Sequence, residues 1–293
     1  MQKKGIILKG IGGFYYVLSD NAVFECKARG IFRKERQTPL AGDQVLLSED
    51  STPEQGVIDT ILERKNSLIR PPVANLDRLF IIASSVEPTL NLFITDKMVA
   101  IAEDKGIEPV VVFTKTDLQA VTDAETIYHK AGIRVLSVSP ENPKTEELMQ
   151  LLSGCQSAFT GNSGVGKSTL LNRLLPMLCQ ETGDISRKLG RGRHTTRQVE
   201  LFAVPGGGFV ADTPGFSSLD IERCEKIKKE NIAFCFKEFA PYLTQCKFTS
   251  CTHRCERGCA ILDAVQRGEI AASRHQSYCA LYDEVKDVKE WET

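Results

Sequence analysis

Residues 161–169 read Gly-Asn-Ser-Gly-Val-Gly-Lys-Ser-Thr and match the phosphate-binding loop pattern G-x-x-x-x-G-K-[ST]. The short apolar run at 157–160 indicates a strand before this loop. Residues 168–175 indicate a helix after it, which we expect Pro176 to end. Strand, glycine loop and helix stand in the order that the motif requires, so the chain is expected to build an α/β sheet with a nucleoside triphosphate site.

The residue types of this loop suit phosphate chemistry. Glycines let backbone N–H groups close around phosphate oxygens, and the following helix adds the positive end of its dipole. Lys167 can reach the β- and γ-phosphates, and the Ser168 hydroxyl can ligate Mg²⁺. We therefore predict that the nucleotide contacts Gly161, Asn162, Ser163, Gly164, Val165, Gly166, Lys167, Ser168 and Thr169.

The segment before the loop alternates apolar runs with amphipathic stretches. Residues 77–83 and 108–113 are continuous apolar runs, and residues 95–105 between them have the spacing of a helix. Helix patterns also cover residues 122–131 and 145–152, with a further strand at 134–139. This alternation is typical of a parallel α/β sheet.

A second motif follows the strand at 108–113. Thr114-Lys115-Thr116-Asp117 is similar to the guanine-recognition sequence Asn-Lys-x-Asp of GTPases. A carboxylate can accept both N–H donors on the pairing edge of guanine, whereas adenine lacks the second donor. We predict that Thr114, Lys115 and Asp117 bind the base, with Ser137 and Ser139 beside it at the end of the next strand.

Two segments after the loop fit the parts of a GTPase that contact the γ-phosphate. Residues 190–197 are rich in glycine and arginine and include Thr195 and Thr196, either of which can supply a hydroxyl to Mg²⁺. A strand pattern at 198–204 and another at 209–212 follow, and the latter leads into Asp212-Thr213-Pro214-Gly215. Asp212 can hold Mg²⁺ through water, and the Gly215 N–H can contact the γ-phosphate. We take Lys167, His194 and Thr196 as the candidate catalytic residues, and Ser168 and Thr196 as the candidate magnesium ligands.

The first 70 residues contain five short strand candidates, at 5–8, 14–18, 22–26, 43–47 and 56–61. Strands of this number and length suit an oligonucleotide-binding (OB) barrel or another small barrel. A basic loop at 27–36 can contact phosphates, and Phe14, Tyr15, Tyr16 or Phe32 can stack on a base; a solvated loop with core aromatics is the alternative. Pro71-Pro72 indicates a linker or domain boundary after the barrel.

The ten cysteines indicate a metal site, because five candidate ligands lie between residues 246 and 259. Tetrahedral zinc takes four N or S ligands, and either four cysteines or three cysteines with His253 would serve. Helix patterns at 220–238 and 260–289 flank the cluster. The net charge of −1 excludes a uniformly basic protein but allows a local basic patch. No apolar run has membrane-spanning length, and we expect a cytoplasmic protein.

The base-recognition motif precedes the phosphate loop here, which reverses the order in most GTPases. With the N-terminal barrel and the C-terminal Cys/His cluster, this order resembles the circularly permuted ribosome small-subunit-dependent GTPases over nearly the whole chain. The resemblance implies an OB-like RNA-binding barrel at 1–70, a circularly permuted P-loop GTPase domain at 71–222 and a mostly helical zinc-binding domain at 223–293. It further implies one structural zinc ion on Cys246, Cys251, His253 and Cys259, which leaves Cys255 spare.

The same resemblance implies a function. The expected activity is hydrolysis of GTP to GDP, with Mg²⁺, by a monomer that binds the small ribosomal subunit and its rRNA and assists late assembly. Phe216 replaces the water-positioning Gln of Ras-like enzymes, so we expect slow intrinsic turnover and consider His194 as the residue that orients water. Because the chain leaves the nucleotide domain just after Gly215, we hypothesise that hydrolysis repositions the C-terminal domain. The alternatives are a nucleotide-regulated RNA-binding zinc protein not tied to the ribosome, and an ATP-dependent kinase.

Overall fold

The computed structural model describes residues 2–50, 52–181, 199–212, 221–222 and 224–286, without the side chains of residues 33, 175–181 and 212. Strands and helices alternate through the central part of the chain, between an N-terminal group of strands and a C-terminal group of helices. Among the described residues, every helix is too short or too polar to cross a membrane.

The N-terminal strands close into a barrel, as the turn-separated runs predict. The strands are β1 (Gln2–Ile11), β2 (Phe14–Ser19), β3 (Ala22–Ala28), β4 (Gln44–Glu49) and β5 (Gln55–Ile61), in the order β1-β2-β3-β5-β4. Side chains at Ile7, Val17, Val45, Leu47 and Ile58 are fully buried and fill the interior. The period-two alternation of apolar residues along each strand builds this core.

The segment predicted as a basic loop at 27–36 is partly regular. Lys27 and Ala28 end strand β3, and helix α1 (Ile31–Lys34) follows. Phe32 is buried in the barrel core, so the suggestion that it stacks on a base is wrong. Burying this ring stabilises the short helix, which its length alone would not. Phe14 is exposed, and the Lys27 ammonium lies 5.3 Å from the centre of its ring.

The other strands form a two-stranded ribbon and a six-stranded sheet. The ribbon pairs β6 (Ser67–Leu68) with β7 (Val73–Ala74), and Pro71 and Pro72 lie in the turn between them and not in an open linker. The sheet has the order β10-β9-β8-β11-β13-β12, and β12 runs antiparallel to β13. Its strands are β8 (Arg78–Ser84), β9 (Glu108–Thr114), β10 (Arg134–Ser137), β11 (Cys155–Gly161), β12 (Glu200–Ala203) and β13 (Gly208–Asp212).

Helices of the central region agree with the predicted spacing except at one end. They are α2 (Leu92–Asp104), α3 (Thr122–Lys130), α4 (Thr145–Leu152) and α5 (Lys167–Glu181). Helix α5 continues through Pro176, so the prediction that this proline ends it is wrong. A proline inside a helix removes one backbone hydrogen bond, and here the buried residues Leu170, Leu171 and Leu174 anchor the preceding turns.

The C-terminal region contains less α-helix than its sequence predicts. In place of a helix over 220–238, residues 225–231 are irregular and two 3₁₀ helices follow, at Ile232–Cys235 and Lys237–Phe239. Phe236 between them has an extended backbone, with φ −106° and ψ 92°. The predicted helix over 260–289 is two helices, α6 (Ala260–Gln266) and α7 (Ala272–Val285), separated at Gly268 with φ +69°. A left-handed glycine ends a helix readily.

The chain divides into two compact units, of which the first comprises Met1–Leu79, Thr145–Phe159 and Lys167–Ile221. Within this unit the barrel contacts strand β12. Lys9 on β1 is only 5% exposed, and its ammonium lies 2.9 Å from the Glu200 carboxylate on β12. This ion pair ties the barrel to the edge strand of the sheet.

The second unit comprises Phe80–Lys144, Thr160–Gly166 and Glu222–Thr293. Within this unit, the C-terminal residues pack against helix α2. Arg274 of α7 is 1% exposed and contacts Asp96 of α2 at 2.8 Å and Glu238 at 2.7 Å. Surrounding pairs are Lys97–Glu222 at 4.0 Å, Lys105–Glu225 at 2.8 Å and Glu103–Lys237 at 2.7 Å.

Candidate functional site

The base-recognition motif and the glycine loop are joined by a buried hydrogen bond in the second unit. The Thr114 hydroxyl donates to the Val165 carbonyl at 2.5 Å, and Thr114 is only 6% exposed. At Gly166, with φ +89°, a Cβ atom would lie 3.6 Å from the Thr114 hydroxyl. Thr114 therefore makes a tether to the phosphate loop although it replaces the asparagine of the Asn-Lys-x-Asp sequence.

Lys115 is held by residues that the sequence analysis did not single out. Its backbone is left-handed, with φ +58°, and its ammonium donates to the Glu87 carbonyl at 2.5 Å and the Val86 carbonyl at 3.3 Å. The Ser85 hydroxyl donates to the Lys115 carbonyl at 2.7 Å. Contacts made by backbone carbonyls cannot be predicted from residue type. Ser85 could have been predicted, because it directly follows a buried strand at the edge of the sheet where ligands bind.

The remaining base-site residues lie around the same sheet edge of the second unit. Asp117 is exposed, in a turn closed by the Leu118 N–H donating to the Lys115 carbonyl at 3.0 Å. The Ser137 hydroxyl donates to Glu125 on α3, and the Ser139 hydroxyl accepts the Asn142 N–H at 3.0 Å. The exposed carboxylate of Asp117 can thus accept donors from a ligand, whereas both serine hydroxyls already have partners within the chain.

The glycine loop approaches strand β8 closely. A Cβ atom at Gly161, with φ +159°, would lie 2.6 Å from the Ile82 carbonyl, so any larger residue would displace the strand. Asn162 Oδ1 is buried and has no hydrogen-bond donor among the described residues. Helix α5 begins at Lys167, and Ser168 and Thr169 are exposed in its first turn. The helix start offers backbone N–H groups, as phosphate binding requires.

Of the candidate catalytic residues, only Lys167 lies among the described residues, as the first residue of α5. His194, Thr195, Thr196 and Gly215 lie outside the described residues, and Asp212 is described only as the last residue of strand β13. Their assignment to catalysis, the γ-phosphate and Mg²⁺ therefore stays a prediction.

The C-terminal cysteines and a histidine form a compact cluster. The ligand atoms of Cys246, Cys251, His253 and Cys259 all lie within 4.8 Å of one another, so this set can hold a metal ion. His253 Nδ1 lies 3.4 Å from Cys246 Sγ and 3.6 Å from Cys259 Sγ, and the two sulfurs are 3.9 Å apart. A tetrahedral zinc site would place sulfur and nitrogen about 3.5 Å apart and two sulfurs about 3.8 Å apart. Cys255 is exposed and does not belong to the set.

Protonation within the cluster suits ligation. Burial lowers the pKa of His253, which keeps the imidazole neutral and able to offer a lone pair. Burial raises the pKa of the Cys251 thiol to about 12, and it also raises the pKa of Cys259. Without a cation these thiols keep their protons, so metal binding would have to release them.

Three further residues hold the loop that carries the cluster, and the sequence analysis missed them. The Glu256 carboxylate accepts the backbone N–H groups of Thr252 at 2.7 Å and Arg254 at 3.0 Å. Burial acts to raise the pKa of Glu256, but the hydrogen bonds from Thr252 and Arg254 outweigh it and lower that pKa to about 2. Tyr278 donates to the Thr252 carbonyl, and His275 Nε2 donates to the His253 carbonyl, both at 2.7 Å.

Comparisons with known proteins cover the whole of this architecture. Residues 61–222 match the sequence family described as RsgA GTPase, and residues 4–58 match the RsgA N-terminal domain. The small ribosomal subunit biogenesis GTPases RsgA of Shouchella clausii (strain KSM-K16) and Geobacillus thermodenitrificans (strain NG80-2) are each 43% identical, over 98% of this chain and 98% of their own.

Two solved structures are similar over nearly the full length. The circularly permuted GTPase YloQ is 34% identical with a TM-score of 0.80, covering 99% of this chain and 96% of its own. YjeQ from Thermotoga maritima is 32% identical with a TM-score of 0.81, covering 99% of this chain and 100% of its own. The predicted fold class is confirmed: an N-terminal barrel, a circularly permuted P-loop GTPase region and a C-terminal Cys/His cluster.

Proposed function

The chain belongs to the RsgA GTPase family, and from that membership we propose that it is a GTP hydrolase that assists maturation of the small ribosomal subunit. The observation that carries the nucleotide part is the bond between the Thr114 hydroxyl and the Val165 carbonyl. It joins a base-recognition motif to a phosphate loop that lies later in the chain, which is the arrangement that a permuted GTPase needs.

Each part of the nucleotide has candidate partners in this proposal. Asp117 accepts the guanine donors, while backbone N–H groups of 161–166 and the Lys167 ammonium hold the β- and γ-phosphates. Ser168 and Thr196 would hold Mg²⁺, which on binding offsets negative charge on the phosphates. His194 would orient the attacking water, and the Gly215 N–H would contact the γ-phosphate. The distance agreement at the Cys/His cluster supports a structural zinc ion there.

The names of the relatives suggest the small ribosomal subunit as partner, and the organisation of the chain suggests which region binds which ligand. We assign GTP and GDP to the region 71–222, rRNA contacts to the barrel at 1–70, and zinc to 223–293. We propose a cytoplasmic monomer that binds the small ribosomal subunit, with hydrolysis stimulated by that subunit. Light scattering on the purified protein tests the oligomeric state.

The test is hydrolysis of GTP and of ATP, each with and without purified small ribosomal subunits. We expect GTP turnover that is slow alone and much faster with subunits, and little ATP turnover. Asp117→Asn should lose the preference for GTP, whereas the control Asp123→Asn, at an exposed position of α3, should keep it. A preference for ATP would support a kinase, and GTP turnover indifferent to subunits would support a nucleotide-regulated RNA-binding protein.

A further inference from the structure

The C-terminal residues line an open cavity beside the Cys/His cluster and outside the nucleotide motifs. Its volume is about 310 Å³, which is enough for one nucleobase with its ribose. Aromatic rings of Phe234, Phe248, Tyr278 and Tyr282 line it. The two phenylalanines are 71% and 49% exposed, so both side chains are accessible to a ligand.

Cationic side chains lie beside two of these rings, those of Phe248 and Tyr282. Lys229 lines the cavity, and its ammonium lies 5.6 Å from the centre of the Tyr282 ring. The Arg254 guanidinium lies 5.1 Å from the same ring and pairs with Asp283 at 2.9 Å, and the Lys247 ammonium lies 5.6 Å from the Phe248 ring. Glu230 is the one acidic residue of the cavity lining. The cavity therefore offers positive charge near exposed aromatic side chains.

The exposed rings are held in place by buried neighbours. Phe234 lies in the 3₁₀ helix Ile232–Cys235, whose first and last residues are buried. The lining also includes residues 251–253 of the loop that carries the Cys/His cluster, and Glu256 and Tyr278 fix that loop by hydrogen bonds. A surface fixed before a ligand arrives loses little entropy on binding.

We propose that Phe234, Phe248, Lys229 and Lys247 form a binding surface for an unpaired nucleotide of single-stranded RNA, with its base against the phenylalanine faces and its phosphates at the lysines. This inference rests on the proposed function, which places the protein on an RNA-rich partner. Unpaired bases stack on aromatic side chains, and phosphates recruit lysine. A polypeptide ligand would bury the rings equally well, but it would not require cations beside them.

The first experiment crosslinks the full-length protein to short RNA oligomers that contain 4-thiouridine, followed by mass spectrometry. We expect crosslinked peptides that include Phe234 or Phe248, in addition to any from the barrel. Crosslinks confined to residues 1–70 would overturn the proposal. In intact small subunits, crosslinks from this surface to protein and none to RNA would also overturn it.

The second experiment measures RNA affinity by fluorescence anisotropy, with an abasic oligomer of equal length for comparison. Phe234→Ala and Phe248→Ala should each weaken binding of the base-containing oligomer about 5-fold or more and leave abasic binding unchanged. The control Leu118→Ala removes a similarly exposed apolar side chain elsewhere and should change neither affinity. Equal loss for both oligomers, or no loss, would contradict stacking.

GTP hydrolysis on subunits separates this proposal from the proposed function. Wild-type protein that subunits do not stimulate would refute the function, whatever the oligomers show. Stimulated wild-type hydrolysis, together with Phe234→Ala and Phe248→Ala variants that bind and crosslink RNA like the wild type, would refute only the RNA surface.

Discussion

Thr114 shows how a single hydroxyl can replace a larger amide. The sequence analysis identified the position as part of the base site but could not show that a threonine reaches the phosphate loop. The structure places Thr114 Oγ1 2.5 Å from the Val165 carbonyl, and the Thr114 side chain also lies beside Gly166, where a Cβ atom would be 3.6 Å from Oγ1. Asp117, the residue proposed to bind the base, is thereby kept near residues 160–166 of its own unit.

Removing this hydroxyl should weaken nucleotide binding. Thr114→Val keeps the side-chain shape but loses the hydrogen bond, so we expect a roughly 2- to 12-fold lower affinity for GDP, measured with a fluorescent analogue. Thr114→Ser should retain most of the affinity. Thr126→Val, which removes an exposed hydroxyl from α3, is the matched control. Wild-type affinity in Thr114→Val would show that the tether has no role in binding.

Cysteine reactivity should report the metal ligands. In the zinc-loaded protein, exposed Cys255 should be alkylated first, and Cys246, Cys251 and Cys259 only after a chelator is added. Cys26 and Cys235 are buried thiols whose pKa burial raises to about 12, so they should stay unmodified in both states. Mass spectrometry of tryptic peptides measures each site. Protection of Cys255 until chelation would mean that it is a ligand.

Helix α2 connects two other helices through a buried carboxylate, a role that its own sequence does not predict. Its buried Asp96 accepts hydrogen bonds from Arg274 of α7 and from Tyr128 of α3, each at 2.8 Å. Burial acts to lower the pKa of Arg274, but the charges of Asp96 and Glu238 outweigh it and raise that pKa, so the guanidinium stays charged. Four segments distant in sequence, α2, α3, α7 and the 3₁₀ helix that contains Glu238, thus share one buried network.

Breaking the network should destabilise the C-terminal region strongly. Arg274→Met leaves Asp96 and Glu238 buried without a cation, and we expect a loss of about 3–5 kcal/mol in the free energy of unfolding, measured in urea. Arg267→Met removes an exposed pair with Glu269 from the same region and should change stability little. A similar small change in both variants would show that solvent reaches Asp96.

Sequence pattern predicted the strands of the barrel and of the central sheet, and it failed where the spacing of buried residues resembles that of an α-helix. Ile232, Cys235, Phe236 and Phe239 are all buried, with the spacing i, i+3, i+4, i+7 that normally indicates an α-helix. Two 3₁₀ helices with an extended Phe236 between them satisfy the same spacing. Carbonyl contacts to Lys115 and the carboxylate of Glu256 also escaped prediction, because they depend on how distant backbone segments meet.

The whole chain contains a barrel, a P-loop GTPase region and a C-terminal Cys/His cluster. In the first unit, the Lys9–Glu200 pair fixes the barrel against strand β12. The Arg64 guanidinium beyond the barrel also binds the fully buried Asp43 at 2.6 Å. Barrel and edge strand should therefore behave as one body in solution.

Loss of the Lys9 contact should loosen the barrel. Lys9→Met leaves Glu200 without this partner, and we expect opening to become roughly 10- to 150-fold more frequent, since a charged hydrogen bond contributes about 1.5–3 kcal/mol. Limited trypsin cleavage near Arg64 and Lys65 measures it. Lys3→Met breaks an exposed pair within the barrel and is the control. Equal cleavage of both variants would argue that Glu200 does not retain the barrel.

The attachment of the C-terminal region to α2 restricts how that region can move in response to GTP hydrolysis. Glu222 pairs with Lys97 on α2, Glu225 pairs with Lys105 directly after α2, and Arg274 pairs with Asp96 on α2. Any displacement of the chain before Glu222 would therefore act on a C-terminal region that ion pairs already attach to α2. Either α2 and the C-terminal region rotate together as one rigid body, or the movement must break the buried ion pairs of Arg274 with Asp96 and Glu238.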